Sequence, residues 1–169
     1  KDSKHIIKVL ENIKKMGVDY KLVLKSNISN DEVIKEIEKC DFIVDCRYSD
    51  TPLGIIGAEA ALLAKPTVVG GYLYKDIKKY LCEGEDIPPA LYVHPDKMEE
   101  AIIKMITDHN YRIEMSKRVY EYAKNRYDLK KVCSNYLSVF NGKISEKWWF
   151  NPNEIDYANG SISNEKLKF

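Results

Sequence analysis

Short apolar runs alternate with helical patterns along most of this chain, and that alternation limits its fold more than any other feature. Tyr20–Leu24 (YKLVL), Phe42–Cys46 (FIVDC), Thr67–Val69 and Leu91–His94 read as strands. Between them, apolar residues recur at helical spacing. Ile6, Ile7, Leu10, Ile13 and Met16 mark a first helix, closed by Gly17. Ser29 and Glu32 form a capping box that opens a second, to about Lys39. Thr51–Ala64 is the third, and Ile77–Leu81 is a short one. Pro95-Asp96-Lys97 starts another that runs to Asp108. Two further patterns follow, roughly Tyr111–Arg126 and Leu129–Phe140. Such an order implies β-α units and a mostly parallel sheet, so the predicted class is α/β with a helical C-terminal end. The strand runs lack polar alternation, which fits a sheet covered on both faces.

Composition narrows the function classes. The chain has 169 residues, enough for one real core, and a formal net charge of +1. Such a balance offers no bulk field for nucleic acid, and no nucleic-acid partner is expected. Cys40, Cys46, Cys82 and Cys133 contain no C-x-x-C pair, which argues against a disulfide framework or a zinc site. Their pattern favours a reducing compartment. With no leader pattern and no apolar run of spanning length, the expected location is the cytoplasm. The chain opens at Lys1 directly in a helical pattern, which suggests the later piece of a longer protein. His5, His94 and His109 are far apart and read as structural. No Gly-x-Gly-x-x-Gly or P-loop is present, so NAD use and ATP hydrolysis have no support. Residues 1–140 read as one domain and 141–169 as a polar C-terminal tail, docked or partly disordered. In that tail, Trp148-Trp149-Phe150 is an apolar aromatic cluster expected to be covered. The favoured expectation is docking, on this domain or on another half of the protein; peripheral contact with a membrane interface is the second.

Ligands of open α/β sheets bind beyond the carboxyl ends of the strands. The first such place is Arg47–Gly54. Thr51 suits an N-cap and Pro52 the first helical position. The N–H groups of Leu53, Gly54 and Ile55 would then open toward a ligand, and a helix N-terminus takes up phosphate well. The second place is Gly70-Gly71-Tyr72. Glu59 is the one charged residue between Leu53 and Ala64. At helical spacing it stacks with Ile55 and Ile56 before it and with Leu62 and Leu63 after it. That puts it on the helix's apolar face or its border, where an unpaired carboxylate costs several kcal/mol. The expectation is a partner: an ion pair, a backbone contact, or the hydroxyls of a ligand.

The segment CDFIVDCRYSDTPLGIIGAEAALLAKPTVVGG resembles the donor-binding signature of the retaining glycosyltransferases of family 4, also called glycosyl transferases group 1. The matching pieces are Cys40–Val44, Ser49, Gly54, Glu59-Ala60-Ala61 and Lys65–Val69. The resemblance runs from Lys1 to about Phe140. It implies a Rossmann-like, nucleotide-sugar-binding domain, one half of a GT-B fold whose other, N-terminal half is missing from this sequence. It further implies that Glu59 holds ribose hydroxyls and that Asp50, Thr51, Pro52, Leu53, Gly54 and Ile55 contact donor sugar and diphosphate. The base would lie against Lys25–Ile28, where Ser26 and Asn27 are the polar candidates. The donor is a nucleotide-diphosphate sugar, the acceptor a glycan or lipid-linked sugar, and no metal or other cofactor is expected. Two positions depart from the family pattern. Thr51 stands where the family has the first of two glutamates, with Asp50 adjacent as a substitute, and Ala64 stands where it has the glycine of Gly-Lys-Pro. The catalytic residue stays unassigned. The alternative is a non-catalytic binding or scaffolding domain that kept the fold after losing that acid.

Overall fold

The computed structural model describes residues 2–81, 86–146, 156–157 and 160–161. The chain divides into two compact units, one of Lys1–Tyr80 with Asp86–Asp128 and one of Leu81–Glu85 with Leu129–Phe169.

The first unit is α/β. Its sheet has three parallel strands in the order β1-β2-β3: β1 is Ile43–Val44, β2 is Thr67–Gly70 and β3 is Leu91–Val93. The register sets Ile43 beside Thr67 and Val68 beside Leu91. Helix α1 (Ser3–Lys15) and helix α4 (Met98–Thr107) cover one face. Ile6, Val9, Leu10 and Ile13 of α1 meet Val68 of β2 and Met98, Ala101, Ile102 and Met105 of α4 in one buried cluster. Thr67, one residue before Val68, lies on the opposite face against Gly57. That face carries α3 (Ile55–Leu62), on which α5 (His109–Arg126) packs; Ala61 meets Val119 and Ala123 there.

Local chemistry explains the helix ends. α2 (Asn30–Glu38) begins with the capping box read from the sequence. The Glu32 N–H donates to Ser29 Oγ at 3.3 Å, and the Ser29 N–H donates to Glu32 Oε2 at 2.9 Å. The Ser29 N–H and hydroxyl, which both donate to the Glu32 carboxylate, hold it below its ordinary pKa. Gly17, at φ 83°, follows α1 in the left-handed region that glycine tolerates. α3 ends in a Schellman motif: the Lys65 N–H donates to the Ala60 carbonyl at 2.8 Å and the Ala64 N–H to the Ala61 carbonyl at 3.0 Å. The left-handed residue of that motif is Ala64, at φ 58°, the position where the resembled family has glycine. The helix expected from Pro95 is a single 3-10 turn, Pro95–Lys97, followed by α4. The short one at Ile77 is a 3-10 turn over Ile77–Tyr80.

One expected strand is corrected. Tyr20–Leu24 is not in a strand, and Leu22, Val23 and Leu24 are exposed. A strand exists only where a neighbour takes up its backbone groups. Among the described residues, β1 pairs with β2 and no segment pairs with Tyr20–Leu24. Its start is tied down by the Tyr20 hydroxyl, which donates to the Leu10 carbonyl at 2.6 Å.

In the second unit, α6 (Leu129–Phe140) has no buried residue. Strands β4 (Asp156–Tyr157) and β5 (Gly160–Ser161) pair antiparallel. Trp148-Trp149-Phe150 lies outside the described residues. Among those described, no helix is long and apolar enough to cross a membrane.

Candidate functional site

Three strand exits meet at the carboxyl edge of the sheet. Backbone bonds tie them together: the Ser49 N–H donates to the Gly70 carbonyl, the Gly70 N–H to the Cys46 carbonyl and the Gly71 N–H to the Val93 carbonyl, each at 2.9 Å. Close approach explains the two glycines that end β2. A Cβ on Gly70 would overlap the Arg47 carbonyl and the Met98 sulfur, and one on Gly71 would overlap the Ser49 carbonyl and the Tyr92 ring. The Tyr92 hydroxyl donates to that same Ser49 carbonyl at 2.6 Å. Burial pushes the Tyr92 phenol's pKa up, and the negative charge of Asp50 adds to it.

The loop from β1 to α3 differs from expectation. The helix begins at Ile55 rather than Thr51, and its N-cap is Gly54, which offers no side-chain cap. Hydroxyl chemistry moves the start. Ser49 Oγ donates to the Thr51 carbonyl at 2.7 Å and accepts the Thr51 N–H at 3.3 Å. Thr51 Oγ1 accepts the Leu53 N–H at 3.4 Å. These local bonds hold a turn in place of a helical start. Pro52 is buried, while Asp50 and Thr51 are exposed. The N–H groups without an intrahelical partner are therefore those of Ile55, Ile56 and Gly57, not of Leu53 and Gly54. The Asp45 carboxylate lies against Gly54 at this helix start.

Glu59 answers to packing. The buried residues of α3 are Gly57, Ala60 and Ala61, its small ones. They let the helix approach the sheet and α5 closely. Two of its large residues point the other way, Ile55 at 84% exposed and Leu62 at 47%, while Ile56 is half-buried at the border. Glu59 sits between Ile55 and Leu62 on the same face and is half-buried. It makes no hydrogen bond or ion pair among the described residues, so the expected protein partner is absent there. Its face is wet, and the carboxylate does not need one.

Ser26 and Asn27 are exposed in the loop before α2, with Asn27 at φ 57°. α2 packs on α3, but neither residue shares a hydrogen bond with Asp50–Ile55 or Glu59 among the described residues. The structure thus joins Asp50–Ile55 and Glu59 along one loop and helix, and leaves Ser26 and Asn27 as a separate exposed loop.

Arg47 and Tyr48 from the first expected place, Tyr72 from the second, and His94, expected to be structural, gather at the same edge. Arg47 is bracketed by acids: Nη1 donates to Asp2 Oδ2 at 3.1 Å, and Nη2 lies 3.6 Å from Asp96 Oδ1. Burial opposes the Arg47 charge, the Asp2 bond favours it, and the net pKa shift is upward. The same bond pulls the Asp2 carboxyl below its ordinary value. Arg47 Nε is buried and has no partner among the described residues. Its guanidinium lies 5.0 Å from the Tyr48 ring centroid. Tyr48 stacks on Tyr72 at 5.8 Å, and Tyr72 meets His94 edge-on at 5.3 Å. An open groove of about 370 Å³ adjoins Arg47, lined also by His5, Lys8, Asn12, Asp96 and Glu99. The signal for this group was position. Arg47-Tyr48, Tyr72 and His94 each come just past a strand. Among the described residues, no three His, Cys, Asp or Glu side chains are grouped as metal ligands.

No family model, no curated protein and no solved structure matches this chain.

Proposed function

We propose that this chain is the donor-binding half of a retaining glycosyltransferase, which moves a sugar from a nucleotide-diphosphate sugar to a glycan or lipid-linked acceptor in the cytoplasm. The single observation that carries the reading is Glu59. It is a carboxylate with no partner among the described residues, on the open face of a helix that starts at the carboxyl edge of a parallel sheet. Its family-like sequence setting supports the same role. Glu59 accepts hydrogen bonds from the ribose diol. The free N–H groups of Ile55–Gly57 face the diphosphate and stabilise the charge that builds on it as the sugar leaves. The Thr51 hydroxyl, exposed at the loop, donates to a sugar oxygen in place of an acid. A second Rossmann-like half forms the other wall of the cleft and completes the acceptor site.

A test is the thermal shift of this chain with UDP-, GDP-, ADP- and dTDP-sugars. A ligand at a hundred times its Kd adds about 2.7 kcal/mol of stability. One nucleotide that raises Tm above the others supports the reading and names the base; no shift with any of them contradicts it.

A second reading has its own observation. Asp45 places a negative charge beside Gly54, where the diphosphate would sit, and Thr51 lacks the family's carboxylate. The Asp45 carboxylate would crowd a phosphate at Gly54, and the change at Thr51 removes an acceptor for the donor sugar's hydroxyls. Both favour a non-catalytic binding or scaffolding domain, which would bind nucleotide sugar without turning it over when the other half is supplied.

A further inference from the structure

We propose that Tyr72, with Tyr48 and His94 beside it, is a stacking platform for a saccharide ring, separate from Glu59. The three side chains leave three adjacent strands: Tyr48 after β1, Tyr72 after β2 and His94 after β3. The backbone bonds between those exits hold the loops at fixed spacing, as a rigid site requires. Tyr48 is flanked by the Arg47 guanidinium and by Tyr72. Tyr72 is the open ring, 65% exposed, with Tyr48 stacked on it at an interplanar angle of 22°. Two adjacent tyrosines left this wet at the ligand edge of an α/β sheet point to a partner.

The rim selects the ligand. His94 Nδ1 accepts the Asp96 N–H at 3.3 Å, which leaves Nε2 to carry the ring N–H as a donor. The Tyr48 and Tyr72 hydroxyls both donate and accept. An apolar face edged by such groups matches a pyranose, whose C–H face stacks on a ring while its hydroxyls turn outward to hydrogen-bond. Arg47, the cation beside Tyr48, is already engaged by Asp2 and Asp96, which disfavours a phosphate there.

The platform and Glu59 belong to different elements. Arg47 reaches Asp2 at the start of α1 and Asp96 in the 3-10 turn just before α4, the helices on one face of the sheet. Glu59 belongs to α3, on the other face. Assigning the bound ring as the sugar acceptor rests on the transferase reading; the ring binding does not.

The test uses the full chain and free methyl glycosides of glucose, galactose, mannose and N-acetylglucosamine, read by saturation-transfer NMR, with uridine, guanosine and adenosine as competitors of the other kind. The expected result is that one glycoside binds through its ring C–H protons. Tyr72→Ala weakens it roughly tenfold, Tyr72→Phe keeps most of it, and Glu59→Ala leaves it unchanged. Tyr72 is exposed, so Tm should stay put in both tyrosine variants. Binding of no glycoside overturns the platform, as does equal binding by Tyr72→Ala or binding of nucleosides alone. Because the glycosides carry no nucleotide, the platform and the donor site can fail independently.

Discussion

The two faces of the sheet are covered in opposite ways. α1 and α4 bury large side chains on one face: Ile13, Met98, Ile102 and Met105 are each at most 1% exposed. α3 and α5 bury small ones on the other, Gly57, Ala60, Ala61 and Ala123, with Val119 and Met115 as the larger pieces. A face filled by large residues uses up the apolar part of its helices. A face filled by small ones lets a helix sit close and turns its large residues outward. Ile55 and Leu62 are bare for that reason, and Glu59 lies between them. The lone carboxylate is thus a mark of the open side of α3, not a charge placed in a core.

The contrast is easiest to break by trading sizes. On the large-residue face, Ile102→Ala leaves a cavity and should cost about 2–5 kcal/mol, read as a fall in the urea midpoint. On the small-residue face the opposite change should hurt. Ala61→Leu drives a branched chain into Val119 and Ala123, at about 1–3 kcal/mol. If Ala61→Leu is neutral, α3 is not held closely and the contrast fails. On that same small-residue face, Thr67 Oγ1 is buried against Gly57 without a partner among the described residues. Thr67→Val should therefore raise stability by about 1 kcal/mol, since an unmet buried hydroxyl is lost and the shape is kept. Ala64→Gly relieves the left-handed residue after α3 and should add up to about 1 kcal/mol, seen as a modest rise in Tm. Smallest of all, Glu59→Ala should change stability by no more than about 0.5 kcal/mol, because nothing described pairs with it.

Much of this was legible in the sequence, and the rest was not for identifiable reasons. Helical periodicity found α1, α4, α5 and α6, and the spacing of Ser29 and Glu32 found the start of α2, because those signals are local. β2 and β3 were legible as unbroken apolar runs between turn residues. Tyr20–Leu24 looked the same, but a strand depends on a neighbour that its own residues do not encode. The start of α3 moved from Thr51 to Ile55 because Ser49, two residues earlier, competes for the Thr51 backbone. The face of α3 was misread because size, not hydropathy, decides which side of an Ala- and Gly-rich helix goes inward. Of the candidate site, the loop and Glu59 were found along the chain. Arg47–Tyr48 and Tyr72 were read as two separate places and His94 as structural; that they meet was not legible, since only the parallel register of three strands brings residues that far apart together.

The most direct test of the central claim pairs Glu59→Ala with the nucleotide sugar that stabilises the wild type. The account predicts equal Tm for the two proteins without ligand and loss of most of the ligand-induced shift in the variant. A variant that keeps the full shift, or one already destabilised without ligand, would contradict it. The first would place the donor elsewhere, and the second would make Glu59 part of the packing.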